Sequence, residues 1–173
     1  MRVHPTQTSA KNVSAGLPRH LPVLLRHCWY GLNQAFRRRL THLDLTPDQY
    51  TVLRNLSETP GLTQRELCAR MASDPNTVAA LTARMEAEGW IERKVCSRDR
   101  RANRLRLLAP GKRKFTAAHR IARQLQDELS SDLNPEEHAA LMEHLSRLAQ
   151  ACHEALRHSP SPSGSRNRRA TLP

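Results

Sequence analysis

Aromatic side chains are scarce in this chain, which has two Trp, two Tyr and two Phe among 173 residues. With hydrophobic residues at 38%, that is thin material for a thick monomeric core. It suits a helical protein that buries its remaining apolar stripe against a second copy. Glycine is also sparse, at six residues, and no glycine-rich, phosphate-cradling loop is present. No Ser-His-Asp pattern or pairing of carboxylates suggests catalysis, so an enzyme is not expected. Cys28, Cys68, Cys96 and Cys152 stand far apart without a CxxC pair. That argues against a disulfide framework and for a reducing cytoplasm. No stretch approaches the ~18–20 apolar residues that cross a bilayer. The polar segment Met1 to Gly16 does not read as a secretory signal.

What the chain has in excess is positive charge, a formal net +12. Such a balance favours polyanionic partners, nucleic acid ahead of an anionic membrane surface. The charge is concentrated: Arg93 to Lys114 holds ten Lys or Arg and a single acid, Asp99. A solvated charged surface explains most charge runs, but not a cluster carrying most of the net charge.

Residues 1–17 and 158–173 read as disordered tails, the second built from Ser, Pro and Arg with almost nothing to bury. Between them, residues 18–157 form one expected domain with legible helix starts. Thr46-Pro47-Asp48-Gln49 sets an N-cap, a first-position proline and a capping-box Gln in register. Thr63-Gln64-Arg65-Glu66 is a second capping box, and Asp74-Pro75 and Asn134-Pro135-Glu136-Glu137 repeat the cap-then-proline signature. Helices are therefore expected from about 47, 64, 75 and 135, with others over about 19–41 and 112–131. After Gly89 the period changes to two: Ile91, Arg93 and Val95 alternate with Glu92 and Lys94, and Leu105 and Leu107 with Arg104 and Arg106.

The fold class that follows is mainly α with a small β-hairpin. It is a winged helix-turn-helix whose DNA-binding core spans about 46–110, with N- and C-terminal dimerisation helices over about 19–41, 112–131 and 135–157. The short helices 64–71 and 75–88 form the helix-turn-helix, and the second would enter the major groove. Val78, Leu81 and Met85 would face the core, which turns Asn76, Thr77, Ala79, Ala80 and Ala83 outward; Asn76, Thr77, Ala80 and Arg84 are the candidate DNA contacts of this helix. The outer helices carry apolar stripes at Leu25, Cys28, Leu32, Ala35, Phe36 and Leu40, at Phe115, Ala118, Ile121, Ala122, Leu125 and Leu129, and at Leu141, Leu145, Leu148, Cys152 and Leu156. A homodimer seam is the economical use of that surface; a monomeric helical bundle is the alternative.

This arrangement resembles the MarR family of bacterial regulators over about residues 20–157. The resemblance rests on Leu45 to Tyr50 opening a helix, on Leu81 to Arg93 ending the recognition helix and starting a strand, and on Asp99-Arg100-Arg101-Ala102-Asn103-Arg104 in the wing. It implies a homodimer with one recognition helix per subunit in successive major grooves of double-stranded DNA, half-sites about 34–36 Å apart. Arg101 matches the family's wing-tip arginine, which reaches into the minor groove, and Asp99 the acid that orients the wing. A narrow minor groove concentrates negative potential and attracts an inserted guanidinium. Arg98, Arg100, Arg104 and Arg106 suit phosphates, which give affinity without sequence information. Ala79 and Ala80 depart from the polar or basic side chains of many members and leave small apolar contacts such as thymine methyls.

The resemblance also implies repression relieved by a small phenolic or other anionic effector. Redox sensing through Cys28 or Cys96, or metal sensing, is the alternative within the fold. Cys28 stands beside Trp29 and Tyr30, and Cys96 between Lys94 and Arg98, but a buried thiol and an incidental wing thiol are the plainer readings. Among nine histidines, His153 and His158 lie five apart, about 140° round a helix, and His138 and His144 six apart. Neither pair shares a face, so no metal and no cofactor are expected. A winged-helix module that binds protein instead of DNA is the remaining alternative.

Overall fold

A computed structural model describes residues 20–95 and 103–159. Helix α1 (Leu21–Leu40) carries Pro22 in its first turn and runs through a short 3-10 turn into α2 (Pro47–Glu58). The capping box expected at Thr46 is present: its hydroxyl accepts from Gln49 N at 3.2 Å, and Gln49 Oε1 accepts from Thr46 N at 2.9 Å. A two-residue strand, β1 (Leu62–Thr63), leads into α3 (Gln64–Met71) and α4 (Pro75–Ala87). Strands β2 (Ile91–Val95) and β3 (Asn103–Leu107) precede α5 (Ala109–Leu129) and α6 (Pro135–His158).

The sheet has three antiparallel strands in the order β1-β3-β2, not a bare hairpin. Leu62 pairs with Leu105 and Thr63 with Arg104, while Ile91 pairs with Leu107 and Arg93 with Leu105. Two residues cannot display a period of two, so β1 left no mark in the sequence pattern. Helix α5 also starts earlier than the expected 112, with Pro110 inside its first turn. Proline is tolerated there because that turn's N–H groups lack helical partners anyway.

The described residues fall into two compact units, divided between Leu125 and Gln126 inside α5. In the first, Leu40, Val52, Leu53, Leu56, Leu67, Val78, Met85, Ile91 and Leu105 are fully buried in one cluster. Each such side chain contributes about 1.5–3 kcal/mol relative to exposure. Helix α5 closes this core with buried Ala118 and Leu125, and with Phe115, Ile121 and Ala122 packed against it. In the second unit, α6 buries no residue, and Leu141, Met142, Leu145 and Leu156 are exposed. Its N-terminus is nevertheless well formed: at the expected cap-then-proline start, Asn134 and Glu137 also build a capping box.

Gly111 sets how closely α5 approaches the sheet. A Cβ at this position would lie 2.2 Å from the Trp90 carbonyl oxygen. The same carbonyl accepts from Leu108 N at 2.9 Å. Lys114, one turn on, places its ammonium 4.4 Å from the centre of the Trp90 ring and donates to the Leu43 carbonyl. A backbone oxygen cannot swing aside as a side chain can, so Gly111→Ala is expected to cost about 3 kcal/mol by overpacking. Denaturant unfolding measures it, and a variant as stable as the parent would show that α5 does not depend on this approach.

Candidate nucleic-acid interface

Helix α3 starts with a reciprocal capping box: Glu66 N donates to Thr63 Oγ1 at 3.2 Å and Thr63 N to Glu66 Oε2 at 2.7 Å. It ends at Ala72, whose φ of 48° and ψ of 43° are left-handed. For a residue with a Cβ this costs roughly 1–2 kcal/mol, and it turns the chain sharply into α4. There Asp74 accepts from Thr77 N at 2.9 Å and Pro75 follows. Val78, Thr82 and Met85 are fully buried, with Leu81 packed beside them.

The opposite face of α4 is bare. Asn76, Thr77, Ala80 and Ala83, expected to face outward, are exposed, as is Arg84, while Ala79, expected there too, is half-buried because it lies beside the core-facing Val78. Arg84 has no acid partner among the described residues. Helix α4 thus presents a short, partly cationic strip of small and amide side chains, of the size and polarity that suit a major groove.

The wing is divided. Its strands are described, but Arg98, Asp99, Arg100, Arg101 and Cys96 lie outside the described residues. Of the cations on the strands, Arg104 Nη1 donates to the Gly61 carbonyl at 2.8 Å and is partly buried. Arg106 is exposed. Arg93 turns inward and donates from three nitrogens, to Glu86, Gln64 and Thr82. Sequence reasoning missed this inward arginine, although alternation with Ile91 already placed it on the core side of β2. It also missed the buried hydroxyl of Thr82, although a spacing of four from Val78 and three from Met85 put it on the core face of α4.

A surface pocket of about 770 Å³ opens beside the wing's base. Leu56, Pro60, Leu107 and Phe115 supply apolar walls, and Arg106 and Lys112 line it with cations that have no acid partner among the described residues. Glu92, also in the wall, pairs with Lys94 at 3.1 Å. Beneath it, Tyr50 stacks on Phe115 and its hydroxyl meets His119 Nδ1 at 3.1 Å. Burial pushes the Tyr50 phenol above its ordinary pKa. Cys28 is exposed, correcting the expectation of a buried core thiol: the α1 stripe is covered only near its C-terminal end, at Phe36 and Leu40. Among the described residues no cluster of His, Cys, Asp or Glu could hold a metal, and no helix is long and apolar enough to cross a membrane.

A capped pair of short helices, the second bare on its outer face, beside a basic antiparallel wing, defines a winged helix-turn-helix domain. Residues 43–102 match the model of the MarR family. The transcriptional regulator HosA of Escherichia coli O127:H6 is 33% identical over 100 residues, 58% of this chain and 74% of HosA. Among solved structures, MepR of S. aureus in complex with DNA superposes with a TM-score of 0.71 at 23% identity, over 77% of this chain and 96% of MepR. PcaV of Streptomyces coelicolor, solved with its natural ligand, gives a TM-score of 0.68 at 25% identity, over 82% of this chain and 99% of PcaV. The chain belongs to the MarR family and is a transcriptional regulator, not an enzyme.

The caps around the helix-turn-helix make its stability depend on acid. The Thr77 hydroxyl, then backbone N–H groups of Thr77 and Asn76, hold the Asp74 carboxyl below its ordinary pKa. Thr63, first through its N–H and then its hydroxyl, does the same for Glu66. Because the folded values are depressed, this stabilisation is present above the unfolded pKa of about 4 and is lost as pH falls through the folded values. Asp74→Asn with Glu66→Gln keeps side-chain acceptors at both caps. The double variant is expected to stay close to the parent at neutral pH and to lose less thermal stability in acid. An unchanged acid dependence, measured by circular dichroism melts, would show that these caps are not its source.

Proposed function

We propose that the protein is a cytoplasmic, homodimeric repressor that binds a pseudo-palindromic operator in double-stranded DNA and leaves it when a small anionic effector binds. The observation that carries the reading is the bare outer face of α4, where Asn76, Thr77, Ala80 and Arg84 are exposed. Asn76 and Thr77 sit at the helix N-terminus, where a recognition helix meets base edges. Thr77 also serves the Asp74 cap, so Asn76 and the thymine-methyl surface of Ala80 carry most of the reading. Arg98, Arg100 and Arg104 take phosphates, Arg101 enters the minor groove, and Asp99 orients it.

Dimerisation is supported by apolar side chains left uncovered on α1 (Leu21, Trp29, Leu32) and, separately, on α6 (Leu141, Leu145, Leu156). Contiguous exposed apolar surface of this kind marks an interface. Purified protein is expected to bind a duplex recovered from a randomised pool as two chains per duplex, with affinity falling steeply with salt. Arg101→Ala should weaken that binding at least about tenfold; unchanged affinity would remove the wing from the interface. One chain per duplex would remove the dimer.

For the effector, the pocket at the wing's base pairs apolar walls with Arg106 and Lys112, which have no acid partner among the described residues, a lining that suits an aromatic carboxylate. A hydroxybenzoate at millimolar concentration is expected to weaken DNA binding by the parent and less so by Lys112→Ala. Equal responses would place the effector elsewhere.

A further inference from the structure

Arg93 is the sixth residue after α4 ends at Ala87, and the third residue of β2. Its guanidinium uses every nitrogen on a different acceptor. Nε donates to Glu86 Oε2 at 2.9 Å, Nη1 to Gln64 Oε1 at 3.0 Å and Nη2 to Thr82 Oγ1 at 2.9 Å. Gln64 is the first residue of α3, and Thr82 and Glu86 lie one turn apart on α4. One side chain therefore joins the wing strand to both helices of the helix-turn-helix.

The acceptors fit this one partner. Thr82 is fully buried, and its hydroxyl hydrogen is spent on the Val78 carbonyl at 2.8 Å. Its oxygen then needs a donor, since a buried polar atom left unpaired is costly. Glu86 supplies the compensating charge, and the Arg93 side chain keeps only 27% of its exposure. All three guanidinium nitrogens are thereby held by protein acceptors, with two of the five N–H groups left over. A planar fork is required: a lysine ammonium is a single point on its stem and cannot reach three acceptors spread around a plane.

We infer that Arg93 is a positioning residue for operator recognition, fixing the rotation of α4 relative to the wing while touching no DNA itself. The inference rests on α4 and the wing reading DNA together. Specific binding needs the helix and the wing in register with adjacent grooves at once, whereas nonspecific binding needs only phosphate charge. Loosening the latch should thus cost operator discrimination more than general affinity for DNA. A phosphate-contacting arginine or a merely structural one would lower both together.

The test compares parent, Arg93→Lys, Thr82→Val and Glu86→Gln on two duplexes, one selected by the parent from a randomised pool and one scrambled from it. Fluorescence anisotropy across a salt series gives both affinities and the salt slope, and the ratio between duplexes does not depend on the fraction of active protein. Arg93→Lys is expected to keep the scrambled-duplex affinity within about twofold and the parent's salt slope. It should weaken selected-duplex binding about tenfold. Thr82→Val should act in the same direction, and combined with Arg93→Lys add little, because both break one interaction. Equal loss on both duplexes, or no loss on either, overturns the inference. Should Arg93→Lys fail to fold, Glu86→Gln decides: discrimination equal to the parent's overturns it. A parent that does not discriminate between the duplexes sinks the functional reading, and the latch with it, a result separable from a discriminating parent with an indifferent variant.

Discussion

Helix α4 is held by one side only. Val78, Thr82 and Met85 are sealed in the core, while Asn76, Ala80 and Arg84, on the far side, touch nothing that would cover them. A helix of 13 residues anchored this way owes its stability to tertiary packing more than to intrinsic propensity. Its orientation is therefore only as precise as its anchors. The Asp74 cap fixes its start, the left-handed turn at Ala72 fixes its angle to α3, and the apolar contacts of Val78 and Met85 fix its depth. Hydrophobic contacts are non-directional. The directional hydrogen bonds of Arg93 add what they cannot, a defined rotation about the helix axis.

The same strand that supplies Arg93 also borders the effector-sized pocket. Glu92 lines the pocket, and Arg93, one peptide on, reaches the α4 anchors. Strand geometry makes this division automatic, because successive side chains point to opposite faces. Helix α5 is brought against the strand's start by Gly111, whose lack of a side chain admits the Trp90 carbonyl. Residues Trp90 to Arg93 thereby touch α5, the pocket and α4 in turn.

Much of this was legible in the sequence where the governing signal is local. Capping boxes at Thr46 and Thr63 and the cap-then-proline starts at Asp74 and Asn134 located four helices, because caps act within three residues of themselves. Period-two alternation located β2 and β3, and spacing of three and four on α4 separated its buried face from its exposed one. The parts that escaped are those decided by distant partners. Strand β1 exists because Leu62 meets Leu105, 43 positions away in the numbering of the chain. Phosphates were the expected partners of Arg104 and Arg106, yet Arg104 donates to Gly61 and Arg106 lines the pocket, while Arg93 serves α4. Cys28 looked like a core thiol because its stripe is apolar, but much of that stripe is uncovered in the single chain.

The central claim is that the outer face of α4 reads base edges. In vitro selection from a randomised duplex pool tests it most directly, run in parallel with the parent and with an Ala80→Arg variant. Ala80 is exposed and its substitution disturbs no packed neighbour, while arginine there could engage a guanine in the major groove through its bidentate edge. The account predicts two recovered motifs that agree except at one symmetric pair of positions, where the variant gains guanine. Identical motifs from both proteins would contradict it.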